Sequence, residues 1–264
     1  MNSIIVPYII LYTIIFCFGM IIGSFLNVCI YRLPREESLV KTSSHCVRCN
    51  MKIKRYDLVP IFSWLFLRGK CRNCGEKISG RYPLVEALNA VSYVWIFYTL
   101  DLGRMFHDFK LAANALILCA LFSMLIVIAF IDYDTQEMNL IILIMIAALA
   151  IPSFFTGTHT LTERLIGLVI VSVPLLILGF FGAMGLGDVL LMAGGGLLLG
   201  AKAIVVAAFL GILLGAVSGI AIKIKTKKSI MPFGPSLAAG MALGALYGDK
   251  IAEWYLNFIA SAGQ

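Results

Sequence analysis

Apolar runs follow one another along this chain, and they restrict its fold more than any other feature. In lipid every backbone N–H and C=O must find a partner inside the protein, so runs near 20 residues become helices. The runs are Val6–Val28, Leu84–Leu100, Leu111–Ile131, Met138–Phe155, Leu165–Phe181, Val189–Leu199 and Ala203–Ile222, with a last one that follows Pro232-Phe233-Gly234-Pro235 and ends near Phe258. Of the 264 residues 61% are hydrophobic and 13% charged, against roughly 45–50% and ~25% in soluble domains. The expectation is an all-α polytopic membrane protein with about eight transmembrane helices.

The basic residues are unevenly placed. Of the 21, twelve fall between Cys29 and Pro83 beside four acids, and four lysines cluster from Lys223 to Lys228. Cytoplasmic loops look like this under the positive-inside rule, which leaves nucleic-acid binding the weaker account of the +7 charge. With residues 29–83 cytoplasmic, parity places the loops of Asp132, Asp188 and the lysine cluster on that same face. Arg104, Lys110, Arg164, Lys202 and Lys250 then fall to the outer side. The chain divides into a first span (1–28), a polar module (29–83) and a seven-helix membrane domain (84–264). The N-terminus lacks a charged n-region and a small-residue cleavage site, so it reads as a retained span. Gly194-Gly195-Gly196 marks an irregular or closely packed span. Gly211, Gly215 and Gly219, like Gly240, Gly244 and Gly248, recur at the spacing that lets helix backbones approach.

The polar module carries Cys46-Val47-Arg48-Cys49 and Cys71-Arg72-Asn73-Cys74. Two CxxC knuckles at this separation offer four thiolates, the tetrahedral shell that zinc prefers. A reducing compartment favours metal over disulfides; iron suits the same shell. Four protein ligands leave no open position, so the implied role of Zn2+ is structural, holding together a module too small for its own core.

Two acids stand at the ends of apolar runs. Asp132 follows Ile131, and Asp188 ends Gly185-Leu186-Gly187-Asp188. Acids at membrane depth are costly and point to function. Two carboxyls in one site share a proton, so the ionised one activates water while the protonated one polarises a carbonyl. The glycines allow close backbone approach. Alternatively, Asp132 caps the fourth helix and Asp188 the sixth. Asp134 and Glu137 compete with Asp132 for the first position.

Taken together and in order, these motifs resemble the bacterial type IV prepilin peptidases, bifunctional leader peptidases and N-methyltransferases of the GxGD aspartyl protease group. The likeness runs through Gly23-Ser24-Phe25-Leu26-Asn27-Val28, Arg32-Leu33-Pro34 and the two knuckles. It continues with Arg68 to Arg72, Ile78 to Pro83, Glu86, Asp132, Gly185 to Asp188 and Pro232 to Pro235. It implies eight membrane helices, a zinc-bearing cytoplasmic loop, and catalytic acids at Asp132 and Asp188. Where the family pattern usually has proline after the first acid, this chain has Asn139, with Asp132 still in register. The resemblance implies a multi-pass protein of the bacterial cytoplasmic membrane, in contact with lipid, that acts on type IV prepilins or pseudopilins. It would cut a basic leader after a glycine and then methylate the new N-terminal amine with S-adenosyl-L-methionine. The family ties residues around the second knuckle to methylation, which points to Gly69 and Lys70 as the cofactor-binding residues. Two other classes fit parts of the pattern: a secondary transporter with intramembrane acids, and an assembly factor that uses the zinc module for protein contacts.

Overall fold

The computed structural model describes residues 2–40, 43–182, 184–226 and 232–262, so Lys227 and Lys228 of the lysine cluster lie outside the described residues. Among these the secondary structure is helical, and the only β-pairing is two isolated bridges in the polar module. Every apolar run is helical. Val6–Arg35, Phe109–Thr135, Leu161–Phe180 and Leu186–Ile224 are each long and apolar enough to cross a membrane. Contacts group the chain into two units, residues 1–101 and 102–264.

In the first unit α1 (Asn2–Arg32) returns through the polar module and the short α2 (Phe62–Phe66) to α3 (Arg81–Thr99). α1 and α3 pack antiparallel, which small residues permit. A Cβ on Gly19 would lie 2.7 Å from Ala90 Cα, and one on Gly23 2.7 Å from Glu86 Cα. Polar side chains add interhelical bonds of the kind that hold spans together. The Asn89 amide donates to Gly19 O at 2.8 Å and the Asn27 amide to Tyr82 O at 3.0 Å.

The second unit begins with α4 (Leu102–Met105) and α5 (Phe109–Thr135), the latter capped by Asp108, which accepts from Lys110 N and Leu111 N. The fourth apolar run is two consecutive helices, α6 (Leu140–Ala148) and α7 (Ala150–Thr156). The fifth is α8 (Leu161–Ile170) and α9 (Ser172–Phe180), opened by a Thr160–Glu163 capping box. α10 (Leu186–Thr226) holds both the sixth and the seventh runs, and α11 (Gly234–Ala262) is the last.

Of the two readings of the sixth run, close packing holds: Gly194 to Gly196 remain helical, and the backbone departs from helical geometry at Gly200, φ 77°, just past the run. Those glycines serve packing: Gly194 meets Ala147, Gly195 receives the Met241 side chain, and Gly196 crosses Gly167 backbone to backbone. Gly240, Gly244 and Gly248 of α11 likewise sit against Ala207, Gly211 and Ala203 of α10. One expectation is corrected, and it concerns Arg164, expected in an outer loop. It lies in α8 with none of its surface exposed. Its guanidinium donates to Ser153 Oγ (2.6 Å), Ser153 O (3.0 Å) and Leu197 O (3.2 Å), with Phe154 beneath it. These carbonyls are C-terminal ends, of α7 and of the stretch before Gly200, where helix dipoles favour a cation. A loop cation thus becomes an internal cap.

The Gly167–Gly196 crossing is intolerant of volume, because a Cβ on either residue runs into the other's backbone. Gly196→Ala is expected to destabilise the unit by about 3 kcal/mol, since overpacked contacts between backbones relax poorly. Thermal unfolding of the purified protein measures this; an unchanged midpoint would show that the helices can part at no cost.

Candidate active site and metal centre

Asp132 occupies the last turn of α5 rather than a cap. The cap of α6 is Asn139, whose Oδ1 accepts from Ile141 N at 3.0 Å and Ile142 N at 3.4 Å. Asn139 therefore starts the fourth segment by side-chain capping. Gln136, left-handed at φ 57°, closes α5 by donating its N–H to Asp132 O at 2.8 Å.

The Asp132 side chain is buried and accepts a hydrogen bond from Gly234 N at 2.9 Å. Gly234 is the first residue of α11, so the positive end of that helix meets a carboxyl held at the negative end of α5. Gly234 has no room for a side chain: a Cβ would lie 2.6 Å from Asp132 Oδ2 and 2.8 Å from Met138 Cε.

Asp188 lies in the first turn of α10, with its Oδ2 beside Gly185. It too is buried. Met138 completes this end of the unit. A Cβ on Gly187 would lie 2.8 Å from Met138 Cβ, so the glycine lets the start of α10 close onto the same methionine that touches Gly234. The starts of α10 and α11 and the end of α5 thus converge. Asp188 Oδ1 is buried and, among the described residues, has no hydrogen-bond partner. A buried acceptor left unpaired costs roughly 1–3 kcal/mol. Such an atom invites an explanation in function, and a water or a substrate group can supply its missing bond. Asp134 and Glu137 are exposed.

Gly234→Ala tests the convergence directly. The new methyl must displace the Asp132 carboxyl, and a displacement near 1 Å costs about 10²-fold in rate where two groups act in concert. We expect turnover to fall by that order with the helices intact. A full-rate variant would show that Asp132 needs no fixed position.

In the polar module the two knuckles repeat one local design. Cys46 N donates to Met51 O at 3.0 Å and Asn50 N to Cys46 O at 2.9 Å; Cys71 N donates to Glu76 O at 2.8 Å and Gly75 N to Cys71 O at 3.0 Å. Asn50 and Gly75, each just after a CxxC, are both left-handed, as such tight turns require. The result brings all four sulfurs within 4.8 Å of one another. Zinc–sulfur bonds of ~2.3 Å in a tetrahedron place sulfurs ~3.8 Å apart, and Cys46 and Cys74 Sγ are 3.9 Å apart. The donor set therefore fits zinc. It does not fit disulfides, whose sulfurs bond at ~2.05 Å, and all four cysteines are free thiols. The Met51 N–H and then the Asn73 amide hold the Cys49 thiol down to about 7.

Gly69 and Lys70 precede the second knuckle. Gly69 is left-handed at φ 66°, and a Cβ there would lie 2.9 Å from the Trp64 ring. Lys70 is exposed and pairs with Lys77 in a β-bridge. The sequence gives no warning of the place Met138 takes; Glu86, already part of the resemblance, is buried, and its carboxylate accepts from Ile61 N at 2.6 Å.

Comparison with known proteins covers both regions. Residues 17–100 match the bacterial peptidase A24 N-terminal domain, and residues 119–220 match the type IV leader peptidase family. A prepilin leader peptidase/N-methyltransferase of Bacillus subtilis (strain 168) is 30% identical over 251 residues, covering 93% of this chain and 98% of that one. One from Aeromonas salmonicida (strain A449) is 31% identical over 285 residues, covering 94% of each. A type 4 prepilin-like proteins leader peptide-processing enzyme of Escherichia coli O78:H11 is 33% identical, covering 84% of this chain and 88% of that one. No solved structure matches. With near-complete coverage of such relatives, and with both acids and all four cysteines inside matched regions, the chain belongs to the type IV leader peptidase family.

Proposed function

We infer that this protein is a membrane aspartyl endopeptidase that removes the leader of type IV prepilins or pseudopilins, and an N-methyltransferase of the residue so exposed. The observation that carries the peptidase reading is the pair of buried carboxyls with Asp188 Oδ1 unpartnered. One carboxylate takes a proton from water as the water oxygen attacks the scissile carbonyl; the protonated partner donates to the carbonyl oxygen. Collapse of the tetrahedral intermediate breaks the C–N bond, and a proton passes to the leaving amine. The pair acts as a unit, so neither acid is assigned base or acid alone.

The supporting frame is a bacterial inner-membrane protein with eight crossings, in contact with lipid. Its acids, residues 29–83 and the lysine cluster face the cytoplasm, by the positive-inside rule. Asp134 and Glu137, exposed beside the pair, attract a leader rich in Lys and Arg. Residues 1–28 form the first span, 29–83 the zinc module and 84–264 the protease domain. Cys46, Cys49, Cys71 and Cys74 hold structural zinc. S-adenosylmethionine, when bound, supplies a methyl group to the new amine. Gly69 and Lys70 serve its site, the glycine by fixing the turn beneath Trp64 and the lysine by offering a cation to a carboxylate. The transporter reading has no support, since the family matched is one of peptidases.

The test is to incubate the protein in membranes with a prepilin, with and without S-adenosylmethionine, and to measure the product's N-terminal mass. Leader loss alone without the cofactor, and one added methyl with it, is expected. An uncut prepilin would remove the peptidase reading; cutting without methylation would remove only the second activity.

A further inference from the structure

The polar module presents a face that neither activity uses. Phe62, Leu65 and Phe66 of α2 are 50%, 57% and 85% exposed. Beside them a cavity of about 210 Å³ is walled by Tyr56, Val59, Phe62, Phe66 and Leu67, with Arg72 at one side. Apolar surface of this kind marks an interaction site rather than a solvated one.

Three observations say what covers it. The first is position. Ile61, which leads into α2, donates its N–H to Glu86 at 2.6 Å. Glu86 lies five residues into α3, roughly 8 Å along its axis at ~1.5 Å per residue. Beside it runs α1, which is long and apolar enough to cross a membrane. The buried carboxyl therefore ties the root of α2 below the point where the chain leaves α1 and α3. The second is charge: residues 50–80 carry seven Lys or Arg against two acids. The third is arrangement. The Arg72 fork binds Asp57 at 2.6 Å, which holds the Asp57 carboxyl below its usual range, so the one acid near the cavity is neutralised. Apolar side chains flanked by cations, held at the border of a span, are the composition of an element that lies in the bilayer interface.

We propose that α2 and the cavity beside it lie in the headgroup region of the membrane and take anionic phospholipid, with Phe62, Leu65 and Phe66 among the upper acyl carbons and the surrounding cations on phosphates. The inference rests on α1 crossing the membrane and is independent of the two acids. It makes Glu86 the positioning residue of a third membrane contact between two spans.

The test uses the full chain in vesicles of phosphatidylethanolamine and phosphatidylglycerol. A trace of phosphatidylglycerol bears a photoreactive diazirine near the glycerol end of its acyl chain. After illumination, adducts are mapped by peptide mass. Adducts are expected in the span of α1 and in residues 56–66, and not at the exposed knuckle tip of Val47 and Arg48. Combined Leu65→Ser and Phe66→Ser substitutions should take the 56–66 adducts to background, while zinc content and α1 adducts stay unchanged. In vesicles of phosphatidylcholine alone with a phosphatidylcholine probe, the 56–66 yield should fall relative to α1. Adducts in α1 without adducts in 56–66 would overturn the proposal. So would labelling of 56–66 by a photoreactive pilin helix and not by lipid, which would give the face to substrate. Equal yields with both lipids would overturn its anionic preference.

Discussion

Asp188→Asn is expected to abolish leader cleavage, by about 10³-fold or more, and to leave the protein at least as stable as before. On the proposed mechanism the loss follows from removing one of two groups that pass protons during bond breaking, each worth roughly 10²–10⁴. The stability follows from where Asp188 sits. Its Oδ1 is buried and, among the described residues, has no partner. A neutral amide carries no charge into that buried position, and substitutions at strained active sites commonly stabilise. Asp132→Asn loses activity to the same degree while keeping its fold, because the amide oxygen can still accept from Gly234 N. Asp134→Asn, altering an exposed side chain, stays within a few-fold of the parent. Cleavage rates on a prepilin in membranes, with thermal unfolding beside them, give all three comparisons. Near-parental cleavage by Asp188→Asn would remove that residue from the chemistry, and a large drop in its unfolding midpoint would show that it serves the fold instead.

The second large effect is expected from stripping zinc from the proposed four-thiolate site. The knuckles at 46–51 and 71–76 are held to each other by the sulfur cluster and by exposed contacts such as the Arg48–Glu76 pair at 3.8 Å. An exposed pair contributes at most about 1 kcal/mol, whereas a four-thiolate zinc site contributes on the order of 10 kcal/mol to the folding of a small module. Chelation, or Cys71→Ser, should therefore open residues 43–80 to protease while the α1–α3 pairing through Gly19, Gly23 and Asn89 persists. Purified protein should carry about one zinc per chain. Protease resistance unchanged after complete loss of zinc would show that the module has another source of order.

Much of this was legible from the chain alone, and the reasons are local. A run of apolar residues forms a helix in lipid because its backbone has no other partner, so the extents of α1 and α5 follow from composition. Each CxxC and the left-handed residue after it builds its knuckle within six positions, so the cysteine cluster needed only that the two knuckles meet. The same locality misled at Arg164, where a cation near a segment end resembles a loop residue until Ser153, Leu197 and His159 are seen to offer it carbonyls. Gly200 was likewise hidden behind the more conspicuous Gly194 to Gly196. A broken turn and a tight crossing both ask for glycine, and only the neighbours say which.

The sequence by itself determined the helices and the two cysteine knuckles, because each is specified by residues close together in the chain. Tertiary structure alone decided that Asp132 and Asp188 are buried where Asp134 is not, and that Gly234, 102 positions from Asp132, supplies its N–H. It also decided that one oxygen of Asp188 is left without a partner. Burial and long-range hydrogen bonds depend on which helix ends converge, and convergence is a property of packing among α5, α10 and α11 rather than of any one of them.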